Sequence, residues 1–222
     1  MDSFTCLSLN VNGLRNKLSP TVRDWFQTSD VIALCESKLD KSVADSTLIL
    51  GKYALFRRDR TSHGGGVVCL VRSELQPKRI FPDPEGSEIL MIYLEKISVL
   101  IAVVYRPPRT EDNEKTLSSI LNCISDIAAK HDRLIITGDF NFPDYPIARS
   151  SKSRLGRFLK TCDKLGLKQW VSSPTRGAHI LDLFLTKNLS SDVQVADDAS
   201  LLKSDHRPIE AVVSVAHVLY NN

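Results

Sequence analysis

Apolar and polar positions alternate along this chain in two rhythms, one of period two and one of three to four. Phe4–Val11 alternates residue by residue and predicts a strand that ends at the turn signal Asn12-Gly13. Val31–Cys35 is a short, wholly apolar run, the mark of a strand buried on both faces. Ala54–Arg57, Gly66–Val71, Glu88–Leu94, Val99–Tyr105 and Leu134–Gly138 predict further strands, as do Ile180–Thr186, Val193–Ala196 and Ile209–Val215. Thr116–Lys130 instead places Leu117, Ile120, Leu121, Ile124, Ile127 and Ala128 on one helical stripe. Leu155–Leu165 reads as a second amphipathic helix. Thr21–Gln27 reads as a short third, with Ser19 or a neighbour as cap and Pro20 near its first turn. Short strands outnumber helices and the two are intermixed. The expected architecture is therefore a four-layered α/β sandwich, two packed mixed sheets with helices outside. The alternation is too irregular for a simple doubly wound parallel sheet. With no internal repeat, low-complexity tract or long linker, residues 1–222 read as one domain.

Composition narrows the setting more than the chemistry. Of 222 residues, 42% are hydrophobic and 25% charged, ordinary for a globular protein. No run approaches the roughly 18 apolar residues of a membrane-spanning helix, and the N-terminus lacks a secretory pattern. A soluble, intracellular protein is expected, with no membrane partner. Cys6, Cys35, Cys69, Cys123 and Cys162 are scattered through apolar segments without ligand spacing, so they read as small buried hydrophobes in a reducing compartment. The net charge of +3, from 29 basic and 26 acidic residues, names no partner. The basic residues cluster at Arg57, Arg58 and Arg60, at Arg106 and Arg109, and at Arg149, Lys152, Arg154 and Arg157. Such clusters are ordinarily solvated surface, and point to a phosphate-rich partner only if they ring a catalytic site.

The polar residues at strand ends carry the chemistry. Asn10 and Asn12 follow the first strand, Glu36 the second and Tyr105 the long central one. Asp139 and Asn141 follow Leu134–Gly138, Asp182 lies inside an apolar run, and Ser204-Asp205-His206 precede the last strand. Singly, each is a turn residue, a helix cap or a surface histidine. Jointly, strand ends on one edge of a sandwich converge, and these would supply hard oxygen ligands and an acid/base pair. That set suits metal-assisted hydrolysis of a phosphodiester. The chain contains no Walker motif, GxSxG, HExxH or dinucleotide GxGxxG, which removes several rival chemistries.

The segments LNVNGLRNK (9–17), ALCESKL (33–39), VVYRPP (103–108), ITGDFN (136–141), ILDLFLT (180–186) and KSDHRP (203–208) resemble, in order and spacing, the endonuclease/exonuclease/phosphatase superfamily. The likeness runs from first strand to last and implies a DNase I-like sandwich. It implies that Glu36 is the principal Mg²⁺ ligand (Mn²⁺ substituting), with Asn10, Asn12 and Asp205 at the metal site. Asp139 would activate the nucleophilic water, with Asn141 orienting it. Tyr105 and His206 would contact the scissile phosphate, with Asp182 orienting the histidine. Ser204 and Thr175 would face the substrate. Arg57, Arg58, Arg106, Arg149 and Lys152 would position double-stranded DNA through its phosphates. Loops at 61–65, 142–152 and 190–199 are candidates for target recognition.

RRDRTSHGGGVVCLVR (57–72) and PTRGAHILDLFLT (174–186) resemble the endonuclease domain of APE-type non-LTR retrotransposons of the CR1, jockey and R1 kind. Asn12 departs from the repair enzymes, whose matching position is usually Asp. The resemblance implies a domain excised from a longer endonuclease–reverse transcriptase polyprotein acting in the nucleus. Its nick would leave a 3′-hydroxyl to prime reverse transcription. The alternatives are an abasic-site repair endonuclease, a phosphatase acting on lipid or small-molecule phosphates, and a non-catalytic DNA-binding module.

Overall fold

The computed structural model describes residues 2–108, 113–147, 150–196 and 200–215. The chain begins with β1 (Ser3–Asn10), α1 (Pro20–Phe26), β2 (Val31–Cys35), β3 (Tyr53–Arg58) and β4 (Val67–Arg72). The short edge strand β5 (Pro77–Arg79) leads to β6 (Glu88–Leu94), β7 (Val99–Tyr105), α2 (Asn113–Lys130) and β8 (Leu134–Asp139). Helix α3 (Arg154–Lys164), β9 (Lys168–Gln169), β10 (Asp182–Lys187), β11 (Ser190–Val195) and β12 (Ile209–Ser214) complete it. The order is β11-β12-β1-β2-β4-β3 in one six-stranded sheet and β5-β6-β7-β8-β10-β9 in the other.

The two sheets repeat one pairing scheme. At the centre of each, two parallel strands, β1 with β2 and β7 with β8, are joined by a helical crossover and flanked by antiparallel neighbours. Of these, β2 and β7 are apolar on both faces because both faces are covered. Between the sheets, Val31, Ala33, Val67 and Cys69 meet Leu90, Ile92, Ile101 and Val103 in one fully buried core. Outside the first sheet Val22 and Phe26 of α1 cover Leu7, Ile32 and Leu34; outside the second, Leu117, Ile120 and Phe158 cover Leu100, Val104 and Ile136. Three cores separate four layers, the expected sandwich. Ser19 caps α1 by accepting from the Val22 amide, as the sequence suggested.

Polarity explains the differences from the expected elements. β5 and β9 are short, polar edge strands without a hydrophobic signal. Residues 190–195, expected as part of a recognition loop with a strand from Val193, form an edge strand paired along its whole length with β12. The five cysteines are all buried and unpaired. Among the described residues, no helix is long and apolar enough to cross a membrane.

Candidate active site

Both central strand pairs end at the same edge of the sandwich, where parallel strands conventionally present their ligand-binding residues. Asn10 stands in register with Cys35, so Glu36 emerges beside it. In the other sheet Asp139 lies between Tyr105 and Asp182 on the neighbouring strands. Gly138 makes this close approach feasible: a Cβ there would fall 2.0 Å from the Val104 carbonyl oxygen, at a φ of +133°. Thr137 Oγ1 donates to Ser8 Oγ at 2.8 Å and ties the two sheets together one turn of the pleat below.

A hydrogen-bond network joins the residues. Asn10 Nδ2 donates to Asp139 Oδ2 at 2.9 Å and to Glu36 Oε1 at 3.2 Å. Its orientation is set by the Asn12 amide, which donates to Asn10 Oδ1 at 3.0 Å. The Tyr105 hydroxyl donates to Glu36 Oε1 at 2.7 Å. Asp139 Oδ1 accepts from the Asn141 amide at 3.0 Å, and Asn141 Nδ2 donates to the Arg106 carbonyl at 2.8 Å. His206 Nδ1 and Asp182 Oδ2 lie 2.7 Å apart, leaving Nε2 facing Asp139 Oδ2 at 4.0 Å. Asn12, Glu36, Lys38 and Asn141 all adopt left-handed φ values of 45–51°, each costing roughly 1–3 kcal/mol in a non-glycine residue.

Burial sets the electrostatics. Asp139 is pushed up to about 8 by its own burial and then by the charge of Asp182, against the opposing pull of His206, Asn10 and Asn141. Burial alone would depress His206, yet its bond to Asp182 and the charges of Asp182, Asp139 and Asp205 outweigh it and hold the imidazole above its ordinary value. Burial, then the bond to Glu36, keep Tyr105 a neutral donor. The Oδ1 atom of Asp182 is buried with no hydrogen-bond partner. The arrangement unites a buried carboxylate, an imidazole oriented by a second carboxylate, and several hard oxygens.

A divalent cation would meet a mixed donor set at this edge. Glu36 Oε1 already accepts two hydrogen bonds, while Oε2 has only Lys38 Nζ at 3.7 Å. A partly exposed carboxylate oxygen that shares its Lys38 contact with Asn12 Oδ1 fits a hard cation that keeps several waters. Asp139, Asp182 and His206 also present ligand-type atoms within 4.8 Å of one another. Of these, Asp182 and His206 are already bonded to each other, whereas Glu36 Oε2 could be offered to an ion.

Several residues expected to meet metal or substrate are engaged within the protein. Asp205 turns outward and pairs with Arg176. Ser204 Oγ donates to the Asn10 carbonyl at 2.6 Å and accepts from the His206 amide, so it fastens β1 to the histidine loop. Thr175 is fully buried; its Oγ1 accepts from the Leu181 and Asp182 amides at 3.0 and 3.1 Å and fixes the start of β10. Arg57 is consumed by Asp59, Asp45 and the carbonyls of Val43 and Asp40. Arg58 is consumed by the Ile89 and Pro84 carbonyls. Arg106 is buried, its Nη1 donating to the Phe140 and Asn141 carbonyls. Lys152 is exposed before α3, and Arg149 lies outside the described residues.

Two cations near the site went unselected. Lys38 Nζ donates to Asn12 Oδ1, and Arg60 lies over the Tyr105 ring at 5.9 Å while pairing with Glu88 at 2.7 Å. Their neighbours in sequence gave the signal, ESK for the first and the 57–60 cluster for the second. Choosing among three clustered arginines required the β3–β4 geometry.

The family described as endonuclease-reverse transcriptase matches residues 99–210, half of the chain. Among solved structures, the 3′ phosphatase NExo from Neisseria, bound to a product DNA hairpin, is 20% identical with a TM-score of 0.70, over 94% of this chain and 98% of that one. The 3′-5′ exonuclease NExo from Neisseria meningitidis is also 20% identical, with a TM-score of 0.70 over 93% and 98% of the two chains. An AP endonuclease from Archaeoglobus fulgidus, 17% identical, gives a TM-score of 0.70 over 94% and 98%. These likenesses establish the shared fold. The chain therefore belongs to the endonuclease-reverse transcriptase family, within the endonuclease/exonuclease/phosphatase superfamily.

Proposed function

We propose that this protein is a metal-dependent DNA endonuclease that nicks its target strand and leaves a 3′-hydroxyl from which reverse transcription is primed. The observation that carries this reading is the convergence, at one sandwich edge, of Glu36 and Asn10 from one sheet with Asp139 and the Asp182–His206 pair from the other. Water adds to phosphorus and loses a proton to Asp139 as the bond to the 3′ oxygen breaks; that oxygen leaves as the alkoxide and takes a proton from solvent water to become the 3′-hydroxyl. A carboxylate whose pKa stands near the working pH is a better acceptor than an ordinary one. His206, whose hold on its proton Asp182 strengthens, donates in its protonated form from Nε2 to a phosphoryl oxygen as charge builds there. Asn141 and Tyr105 orient the phosphate. Glu36 with Asn12 and Asn10 would hold Mg²⁺, or Mn²⁺ in its place, and the ion would neutralise the developing phosphoryl charge. For Asn12 this means exchanging its bond to Lys38, and for Asp205 leaving Arg176.

The family match and the retrotransposon-like segments support a reverse transcriptase in the same parent polypeptide and action on nuclear DNA. The test is nicking of supercoiled plasmid with Mg²⁺, where Asp139→Ala and His206→Ala should each lose roughly 10²-fold or more. Wild-type rates in both would refute the site. The AP endonuclease among the structural neighbours gives abasic-site repair as the second reading, which a synthetic abasic duplex separates. A repair enzyme prefers it by orders of magnitude over intact DNA; a target-nicking enzyme does not.

A further inference from the structure

A small cavity of about 250 Å³ opens beside Asn141, walled by Arg106, Phe142, Asp144, Ser153, Arg154 and Leu155. Its volume is below the roughly 300–1,000 Å³ of pockets that enclose whole small molecules, and suits a single anionic group. The Arg106 side chain is 3% exposed and lies over the Phe142 ring at 4.5 Å. Its Nη1 serves two carbonyls, its Nε has no partner, and among the described residues no carboxylate pairs with it. Asp139 and Glu114 offset its charge through space without bonding to it, against burial and the like charge of Arg154, and an anion arriving from outside would relieve the remaining cost. Helix α3 begins at the same wall. Ser153 caps the Gly156 amide at 3.0 Å, while the amides of Arg154 and Leu155 have no intrahelical acceptor. The helix end and the exposed Arg154 add positive potential, opposed only by Asp144 within the lining.

We propose that Arg106, Arg154 and the first turn of α3 form a subsite for a second phosphate of the DNA strand, next to the scissile phosphate at Asn141. The subsite rests on the DNA-nicking reading above for the identity of its ligand, though not for its preference for an anion. Unlike a surface phosphate contact, the same buried side chain fixes the Phe140 and Asn141 carbonyls and meets the neighbouring phosphate. Register along the strand and placement of Asn141 are thereby coupled.

The test uses a duplex with a nick site mapped for the wild-type protein, in which single phosphates around that site are replaced by uncharged methylphosphonates. Binding is measured in chelator for wild type and for Arg154→Gln, whose exposed side chain can be changed without disturbing the core. One flanking methylphosphonate should weaken wild-type binding about tenfold and Arg154→Gln less than twofold. Equal losses in both proteins, or a uniformly tolerant series, overturn the subsite even if the wild type nicks DNA well. If no DNA is nicked or bound, inorganic phosphate decides. Saturable shifts of the Arg154 and Leu155 amide resonances that vanish in Arg154→Gln keep the anion site and remove DNA as its ligand; unmoved amides overturn it.

Discussion

His206 Nδ1 and Asp182 Oδ2 approach to 2.7 Å with the two side chains 2% and 1% exposed. In so dry a place the carboxylate fixes the tautomer and the tilt of the ring, and directs Nε2 outward to the reaction space. Asp182→Asn preserves shape but removes the charge that holds the imidazolium. The sign follows from a histidine whose folded pKa is raised: its stabilising contribution is full below the unfolded value near 6.5 and is lost as pH rises through the folded value. Asp182→Asn should therefore lower the His206 pKa, seen by NMR titration of the ring C–H. It should also cut the nicking rate about 10²-fold with little change in KM. An unchanged titration would show that Asp182 does not charge the histidine.

Asp139 has the opposite relation to stability. Its folded pKa of about 8 exceeds its ordinary 3.8. It therefore favours the fold below 3.8 and progressively loses that contribution as pH climbs through about 8. The Asn10 amide would face a second amide in Asp139→Asn, so the variant's absolute stability mixes two effects. Its pH dependence does not. Measured in chelator, the melting temperature of Asp139→Asn relative to wild type should move upward by several degrees between pH 5 and pH 9, at roughly 2–4 °C per kcal/mol for a chain this long. A difference that stays flat across that range would place Asp139 in a less costly environment than its burial indicates.

How much of this was legible beforehand depended on where each residue's partners lie. β2, β6 and β7 have the boundaries that their uninterrupted apolar runs announce, because burial on both faces leaves no ambiguity of period. β5 and β9 carry no such signal. Asn10, Glu36, Tyr105, Asp139 and Asn141 stand out as polar residues at the ends of buried strands, and strand ends at one sheet edge must lie together. The thirteen-residue span from Thr175 to Lys187 shows the limit. Its polar members look equally eligible for substrate, and only the fold reveals that the Thr175 hydroxyl faces two backbone amides. Arg57 and Arg60 diverge similarly: three residues apart, one is spent on Asp45 and Asp59 and the other reaches Tyr105.

Thr175→Val separates a structural from a substrate-facing threonine. The methyl replaces an acceptor that serves the Leu181 and Asp182 amides, leaving buried N–H groups unpaired at about 1–3 kcal/mol each. Thermal stability should fall by several degrees. Nicking should fall mainly in kcat, because Asp182 loses its anchor, while DNA affinity in chelator stays within twofold. A variant as stable as wild type with weakened DNA affinity would return Thr175 to the substrate surface.

Gly138 precedes Asp139 at a position no side chain can occupy. In Gly138→Ala the new methyl would collide with the Val104 carbonyl at 2.0 Å and press on Cys35 Sγ at 3.0 Å, at a φ that alanine rarely adopts. The adjacent parallel strands β7 and β8 must then separate. The expected loss is more than about 3 kcal/mol by urea unfolding, well beyond a typical point mutation. A loss below about 1 kcal/mol would mean the two sheets yield more readily than their packing implies.

Glu36 and Tyr105 provide the last separation, between a metal ligand and a phosphate contact. Both end on the same bond, the Tyr105 hydroxyl donating to Glu36 Oε1 at 2.7 Å, so either change disturbs the other residue. Glu36→Gln removes the charge that attracts a divalent cation but retains an oxygen, whereas Tyr105→Phe leaves that charge and frees one of its lone pairs. Nicking rates across a Mg²⁺ titration should show the half-saturating concentration rising more than tenfold in Glu36→Gln. In Tyr105→Phe the maximal rate should fall about tenfold at an unchanged or lower Mg²⁺ requirement. Chelator should abolish nicking in all three proteins, with full recovery on adding Mg²⁺ or Mn²⁺. Equal Mg²⁺ requirements in Glu36→Gln and wild type would move the cation elsewhere, with the Asp139, Asp182 and His206 cluster the next place to look.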